Sequence, residues 1–599
     1  MAFFAASPGP KRLLRPAIAL LLIVAGALGV LAIRATITVE TARHEVEDAL
    51  AALTGVPLRL TGTGTARLLP WPGVRFDGVT LVRGDGGTTV ARMDGLDVTF
   101  DAAALLLGRL RPEELRLVRP EVRVEVGDRR PSVLTLASLL TAWKPVAVTV
   151  EKGRFTLAAT SGDELLDAVD ARLSWPRLSA NLRLHAGLRW RGESIGLDLE
   201  TPSPERLLAG EEGAAALRLT SAPLRLTFSG AGGLIAPTRF AGTGDVEIVD
   251  AARFARWTGR PHTPDLLAGR LRLDGSLTAD GRGATMPGAR LDLAGNKAEG
   301  ALDLRWDGAR PRLSGTLAFA ELDLGGDRRR PYGRGWRDLA VDRASQTQDL
   351  DLRLSTPRLR LPGLTLDRVA AALHVSEGRL AAEIGNAELF GKPISATIRG
   401  TLAAAGLEAR LRAGADDLPI ADLADLLAVP GVEAGRVSLG FEGDARCATL
   451  GACLGAVDGR LRLDARGSRV TGSSPFADMS RFRPIVPQSN GSTVTTVWDT
   501  VTAELRLEGP RATVDHAEIV GQSARFLFNG RGDLATGALD LAGHAFFPAY
   551  RPDVARSGTA EVAVPLRIGG TLRRPEAMAR DASAPPADPA PRTPPTNSP

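Results

Sequence analysis

The stretch LRLTSAPLRLTF, residues 217–228, carries the pattern that decides the fold. Each of its two Leu-Arg-Leu triplets puts two leucines on one side of an extended chain and an arginine on the other, because successive side chains of a β-strand point to opposite faces. Triplets of this kind, with arginine or aspartate in the middle, recur at irregular spacing and begin at Leu182, Leu197, Leu271, Leu291, Leu302, Leu352, Leu359, Leu461, Leu505 and Leu539. The irregular spacing argues against a strict-period solenoid or propeller.

The alternation predicts a mainly β fold, organised as a long antiparallel, curved β-groove or meander with one apolar and one solvated face. The apolar period is instead about 3.6 at Thr38–Thr54, which predicts an amphipathic helix just outside the membrane. We expect a short helix at Leu134–Trp143 and two more at Asp250–Thr258 and Leu418–Val429, each of which could cap the end of a sheet or cover an edge. The alternative is that the apolar face closes on itself or on a second sheet, as in a sandwich core.

An apolar segment of eighteen residues, PAIALLLIVAGALGVLAI at Pro16–Ile33, precedes the β pattern. As a helix it is about 27 Å long, close to the ~30 Å of a bilayer's hydrocarbon core. Lys11, Arg12 and Arg15 stand before it, so the positive-inside rule predicts that the first fifteen residues are cytoplasmic. The anchoring positions are Pro16, Leu20, Leu21, Leu22, Ile23, Val24, Leu28, Val30, Leu31 and Ile33. A cleaved signal peptide is the rival interpretation, although its apolar region is usually shorter.

These features predict an order of regions along the chain. Residues 1–15 form a basic cytoplasmic start, 16–34 a signal-anchor helix, and 35–324 a first β region. A polar linker at 325–349 leads to a second β region at 350–575, and 576–599 form a disordered tail rich in proline. In a bacterium with two membranes, this arrangement places a single-pass protein in the inner membrane with the bulk of the chain in the periplasm.

Composition and motifs exclude several classes of function. The net charge of +5 is small for 599 residues and the acidic and basic residues are interleaved, so nothing resembles a nucleic-acid-binding stripe. The sequence contains no phosphate-binding loop, dinucleotide fingerprint, HExxH motif or nucleophile elbow. We therefore expect no enzyme, no cofactor and no metal site.

The only two cysteines, Cys447 and Cys453, are separated by five residues. In an oxidising compartment this pair could close a small loop with a disulfide, which stabilises by about 2 kcal/mol because short loops gain least. Alternatively they are two small buried apolar side chains.

Several short motifs occur in the order found in a known family. They are TGVP at 54–57, LLPWPGV at 68–74, LLLGRL at 105–110, LVRPEV at 117–122, GNKAEG at 295–300, RPRLSG at 310–315, and VPLRIGGTL at 564–572 followed by Pro575. With the N-terminal apolar segment, this order resembles the AsmA family. The resemblance implies an inner-membrane protein whose periplasmic region is related to the TamB-like repeating β-groove proteins, which are linked to outer-membrane biogenesis and lipid movement. The family carries no catalytic residues to transfer, and the proline-rich tail offers no second membrane anchor.

The sequence thus predicts a protein that binds phospholipid acyl chains of membrane lipids along an apolar groove and conducts them between membranes. The lipid-facing candidates are Leu182, Leu184, Leu224, Leu226, Leu271, Leu273, Leu505 and Leu507. If the apolar face is closed, the chain is instead a non-catalytic scaffold or regulator that binds outer-membrane assembly proteins. A polysaccharide-binding adhesin ranks last, because such proteins usually expose aromatic platforms and this chain has only two tyrosines.

Overall fold

The computed structural model describes Val24 and residues 38–579, apart from residues 55–57, 68–70, 84–88, 108, 126–145, 160–161, 177–180, 210, 234–238, 259–269, 325–347, 362, 428, 430, 473–493, 523, 549–560 and 573. Within this part the chain forms thirty strands and six helices, so the mainly β prediction is confirmed. The strands and helices fall into two compact units.

Unit 1 contains four helices and fourteen strands among its described residues. They are α1 (Val39–Thr54), β1 (Leu58–Arg67), β2 (Gly73–Arg83), β3 (Thr89–Phe100), α2 (Ala102–Leu106), β4 (Pro112–Val118), β5 (Glu121–Glu125), β6 (Ala147–Ala159), β7 (Gly162–Ser174), β8 (Leu182–Trp190), β9 (Glu193–Thr201), α3 (Pro204–Ala209), β10 (Gly213–Ser221), β11 (Leu224–Gly233), β12 (Arg239–Ile248), α4 (Ala251–Trp257), β13 (Leu271–Asp280) and β14 (Gly283–Leu293). The next strand, β15 (Asn296–Arg305), has residues in both units.

Unit 2 contains the remaining strands and helices of the described chain. They are β16 (Arg312–Phe319), β17 (Leu322–Asp323), β18 (Asp349–Leu361), β19 (Leu364–Ser376), β20 (Arg379–Leu389), β21 (Lys392–Ala403), β22 (Gly406–Pro419), α5 (Ile420–Leu426), β23 (Val432–Cys447), α6 (Leu450–Gly455), β24 (Val457–Gly472), β25 (Val494–Glu508), β26 (Arg511–Gly521), β27 (Arg525–Asp533), β28 (Leu539–Pro548), β29 (Glu561–Thr571) and β30 (Arg574–Ala579).

Most neighbouring strands pair in an antiparallel meander, as expected. In unit 1 the order β6 to β14 is consecutive and antiparallel, and in unit 2 the same holds from β18 to β30. At many positions a residue faces a residue of the same polarity on the next strand, as where Leu217 pairs with Leu199 and Leu461 with Leu505, and rows of apolar residues form across the strands.

Four pairings, at two places in the described chain, are parallel, which the sequence pattern did not predict. Both β4 and β5 pair in parallel with β6, and both β16 and β17 pair in parallel with β18. Parallel neighbours need a connection of a dozen or more residues, because the chain must return to the same end of the sheet. The long segments 126–145 and 325–347, which lie outside the described residues, make these two connections.

The second of these connections changes the expected division of the chain. The segment 325–349 was predicted to link two β regions, but the strands before and after it, β17 and β18, are neighbours within unit 2. The two units divide instead between Ala294 and Gly308, where short stretches alternate in membership. At the other end, β30 continues to Ala579, so four residues assigned to the tail pair with β29.

Three of the described helices lie in segments predicted to be helical, and the further predicted helix at Leu134–Trp143 lies outside the described residues. α1, α4 and α5 fall inside the other three predicted segments, and the carboxylate of Asp250 caps α4 by accepting a hydrogen bond from the backbone N–H of Arg253 (2.8 Å). In the described part of the chain, no helix is both long and apolar enough to cross a membrane. The predicted anchor at 16–34 lies outside the described residues except for Val24, as do residues 580–599 of the predicted tail.

Candidate functional site

The apolar face of β23 shows how unit 2 distributes its hydrophobic surface. Its alternate residues Val437, Leu439, Phe441, Ala445 and Cys447 lie on one face. Val437, the sixth residue of the strand, is 1 % exposed and Cys447, its last residue, is 8 % exposed, whereas Leu439 and Phe441 between them are only half-buried. The face is thus covered near Val437 and near Cys447 and partly open between these two ends.

Helix α5 covers the strand near Val437. Its residues Ile420 and Leu423 lie on one helix face and pack against a buried cluster that includes Leu418 and Val437, and Ala424 of the same helix is also buried. The close approach depends on Gly435, because a methyl group at this position would lie 2.9 Å from Cγ2 of Ile420. Leu418, where β22 meets the helix, is completely buried.

Helix α6 and a disulfide cover the second end. The Thr449 hydroxyl accepts a hydrogen bond from the backbone N–H of Ala452 (3.2 Å) and so caps the helix. Cys447 of β23 and Cys453 of α6 are joined by a disulfide, with their Cα atoms 4.9 Å apart. Together with Leu407 they form a cluster that buries this end of the strands.

Between these two covered ends, one row of residues crosses twelve strands of unit 2. Cross-strand pairing joins Leu354, Ala371, Ile384, Ala396, Ala413, Phe441, Leu461, Leu505, Val514, Gly530, Leu541 and Ile568 in that order. We call this row and the half-buried residues beside it the apolar strip of unit 2. At about 4.8 Å between strands, the row is about 50 Å long.

Phe441 is the one large ring in the middle of this strip, and two glycines make room for it. A methyl group at Gly443 or Gly459 would lie 2.7 or 2.8 Å from Cζ of Phe441. The ring therefore lies against the bare backbone of β23 and β24. The sequence reasoning missed this residue; the signal was a phenylalanine two positions before a glycine in an alternating strand.

Unit 1 has an apolar strip of the same kind. Its row joins Ala186, Leu197, Leu219, Leu226, Val246, Leu273 and Leu291 across β8 to β14. The neighbouring row brings Leu224 and Leu271 together through Ile248 of β12. This strip is about 30 Å long at the usual strand spacing.

The structure places the eight lipid-facing candidates in two environments. Leu184, Leu224, Leu226, Leu271, Leu273, Leu505 and Leu507 are half-buried. Leu182 is buried in a cluster with Leu173 and Trp175, because it pairs at the end of β8 where the neighbouring chain folds over it. It is a core residue, and the prediction that it faces a ligand is not supported by its environment.

On the opposite face of the strands, many side chains of both units are paired charges. In unit 1 the guanidinium Nε atoms of Arg272 and Arg290 lie 3.0 and 2.8 Å from carboxylate oxygens of Asp245 and Asp274. In unit 2 the hydrogen bond from Arg412 lowers the pKa of the Glu442 carboxyl below its ordinary value. A shallow depression of about 860 Å³ on this face of unit 1 is lined largely by such pairs. Most of its charges already have partners, so it offers little to an apolar ligand.

A further group of side chains holds helix α4 at the end of β8. Glu164 accepts hydrogen bonds from Nε1 of Trp190 (2.9 Å) and Nε of Arg191 (3.0 Å), which lower its pKa to about 2. Trp257 of α4 donates from Nε1 to the backbone oxygen of Trp190 (3.0 Å), and the two indoles meet edge to face. Sequence reasoning did not find this cluster, because its members are far apart in the chain.

The arrangement provides an apolar surface and no reactive constellation in the described residues. Within that part of the chain, no three His, Cys, Asp or Glu side chains come together as a potential metal site. Comparison with protein-family models, with curated proteins and with solved structures found no match.

Proposed function

We propose that this protein binds phospholipid acyl chains along its apolar strips and conducts them between the membranes of a diderm bacterium. The observation that carries the proposal is the half-open strip of unit 2, in which the apolar face of β23 is buried at Val437 and again from Gly443 to Cys447 but only half-buried at Leu439 and Phe441 between them. A closed core would bury the middle of the strands at least as well as their ends.

The size of the strip suits a lipid tail. A bilayer's hydrocarbon core is about 30 Å thick, so the acyl chains of one leaflet extend about 15 Å. The strip of unit 2 is about 50 Å long by its strand count, which leaves room for several chains in sequence. Each methylene that leaves water gains about 0.8 kcal/mol, and the headgroup can stay in solvent.

The cellular setting belongs to the same proposal. The charge-free segment Pro16–Ile33 and the basic residues before it support a single inner-membrane anchor with the rest of the chain in the periplasm. The order of motifs from TGVP at 54–57 to VPLRIGGTL at 564–572 supports membership of the AsmA family and a role in outer-membrane biogenesis.

In-cell photocrosslinking tests the proposal at adjacent positions of the same strand. A photoreactive residue replaces Leu226 or Leu505 on the apolar strips, and Arg225 or Arg506 on the charged face as matched controls. Each residue pair differs only in the face of the sheet. After irradiation, the purified protein is analysed for covalently attached lipid.

We expect lipid at both leucines and none at either arginine. Attachment to a second protein at the leucines, without lipid, would favour the scaffold that binds outer-membrane assembly proteins. No attachment at the leucines of a folded, abundant protein would mean that the strips are covered, and it would refute lipid binding.

A further inference from the structure

Apolar side chains are exposed in the loop and the helix that lie at one end of the first four strands of unit 1, along the edge of the sheet formed by the strand ends. This edge is formed by the end of β1, the start of β2, the end of β3 and the start of β4, as the pairs Arg67–Gly73 and Phe100–Pro112 show. Three large apolar residues at this edge face solvent: Trp71 is 64 %, Leu106 55 % and Leu107 76 % exposed. Most hydrophobic residues of the first strands lie instead in a buried core under α1.

The backbone holds these exposed residues at the same end of the strands. Pro72, directly after Trp71, accepts a hydrogen bond from the backbone N–H of Phe100 (2.9 Å). Asp101 then caps α2, accepting from the N–H groups of Ala103 and Ala104 at 3.0 and 3.4 Å. The loop before β2 and the helix after β3 therefore leave the sheet side by side.

Basic side chains surround the apolar ones. Arg67 at the end of β1 and Arg109 and Arg111 after α2 are all exposed. A surface that combines arginine with tryptophan and leucine is typical of proteins that bind the bilayer interface. The arginines contact lipid headgroups, and the apolar side chains enter the outer part of the acyl region. We call Trp71, Leu106, Leu107 and these three arginines the basal edge.

The chain enters unit 1 near this edge. α1 runs along β1 with its first residue, Val39, against Gly64, where a methyl group would lie 2.2 Å from Cγ1 of Val39. Gly64 is three residues from Arg67 at the basal edge. Only four residues separate Ile33, the end of the predicted anchor, from Thr38, which precedes α1. Five residue steps span at most about 18 Å, so an anchored chain keeps this end of unit 1 close to the bilayer.

We infer that the basal edge docks on the surface of the bilayer that holds the anchor, with Trp71, Leu106 and Leu107 in the interface and the arginines on anionic lipid phosphates. This inference rests on the membrane anchor of the proposed function. Docking fixes the orientation of unit 1 and sets the first strands of its sheet against the lipid source. A lipid leaving the bilayer would then meet the sheet without crossing water.

A fluorescent probe at the basal edge tests this docking in the full-length protein. The probe is an environment-sensitive nitrobenzoxadiazole on Leu107→Cys, attached while Cys447 and Cys453 remain oxidised. The protein is reconstituted into vesicles of phosphatidylcholine and phosphatidylglycerol. The matched control is Leu165→Cys, which is 46 % exposed near the start of β7, at the opposite edge of the same unit.

We expect a blue-shifted emission at Leu107 that is quenched by bromine-substituted acyl chains, and neither effect at Leu165. The variant Arg109→Gln with Arg111→Gln should lose much of the shift in anionic vesicles. A shift at both positions, or a shift at Leu107 without quenching, would refute docking of this edge on lipid.

The same samples separate this inference from the proposed anchor. If the protein resists alkaline extraction from the vesicles but the probe at Leu107 stays in water, the anchor stands and the docking is wrong. If alkali removes the protein, the anchor itself fails and the docking falls with it.

Discussion

Replacing Leu505 with alanine distinguishes an open strip from a closed core. Leu418 provides the matched comparison, because both leucines lie in strands of unit 2 but Leu418 is completely buried under α5. A buried Leu→Ala change costs about 2–5 kcal/mol, since it removes apolar contacts and leaves a cavity. Leu505 is half-buried and has solvent on one side, so truncation loses only part of the 1.5–3 kcal/mol of a fully buried side chain, about 1 kcal/mol.

The measurement is urea denaturation of lipid-free protein, followed by far-ultraviolet circular dichroism. We expect Leu418→Ala to lower the free energy of unfolding by at least twice as much as Leu505→Ala. Adding phospholipid should then stabilise the native protein more than the Leu505 variant, because a ligand that binds only the folded state adds to its stability. Equal losses in the two variants would refute the open strip, since they would mean that Leu505 is covered as completely as Leu418.

Three other perturbations test individual contacts in the two units. Gly443→Ala puts a methyl group 2.5 Å from a backbone oxygen of the next strand and should cost about 1–3 kcal/mol, whereas Gly440→Ala meets nothing within 4 Å and should change the urea midpoint little. Reducing the Cys447–Cys453 disulfide should lower the free energy of unfolding by about 2 kcal/mol, and a double serine variant should no longer respond to reductant. The pKa of Glu164 is about 2 in the folded protein against an ordinary 4.5, so its stabilising contribution is complete above pH 4.5 and is lost as the pH falls towards 2; thermal melting of Glu164→Gln should lack that part of the pH dependence.

The local elements were predictable from the sequence because their causes are local. The period of two in the Leu-Arg-Leu triplets comes from strand geometry alone, and every triplet in the described residues lies in or at the end of a strand. The helix at Asp250–Thr258 could be predicted because an aspartate that can cap a helix precedes apolar residues at helical spacing. The position of the anchor remains a prediction, since it falls outside the described residues.

The non-local features could not be predicted in this way. The parallel pairing of β17 with β18 depends on where a long connection returns, and alternation is the same in parallel and antiparallel strands when one face is exposed. The burial of Leu182 depends on Trp175, which follows the neighbouring strand, so its triplet looks like all the others. The hydrogen-bonded group around Glu164 joins β7, β8 and α4, and no rule of sequence spacing connects these three elements.

Helices α5 and α6, which cover β23 near Val437 and near Cys447, also limit what can occupy the strip between them. A second sheet would pack about 10 Å from the first, which is close to the diameter of a helix with its side chains. It would therefore collide with α5 and α6, which already pack against this face near Val437 and Cys447. The half-buried stretch of this face, from Leu439 to Phe441, spans about 7 Å along the strand. An occupant must fit this width and still follow the row across twelve strands, and a flexible acyl chain lying across the strands would meet both conditions.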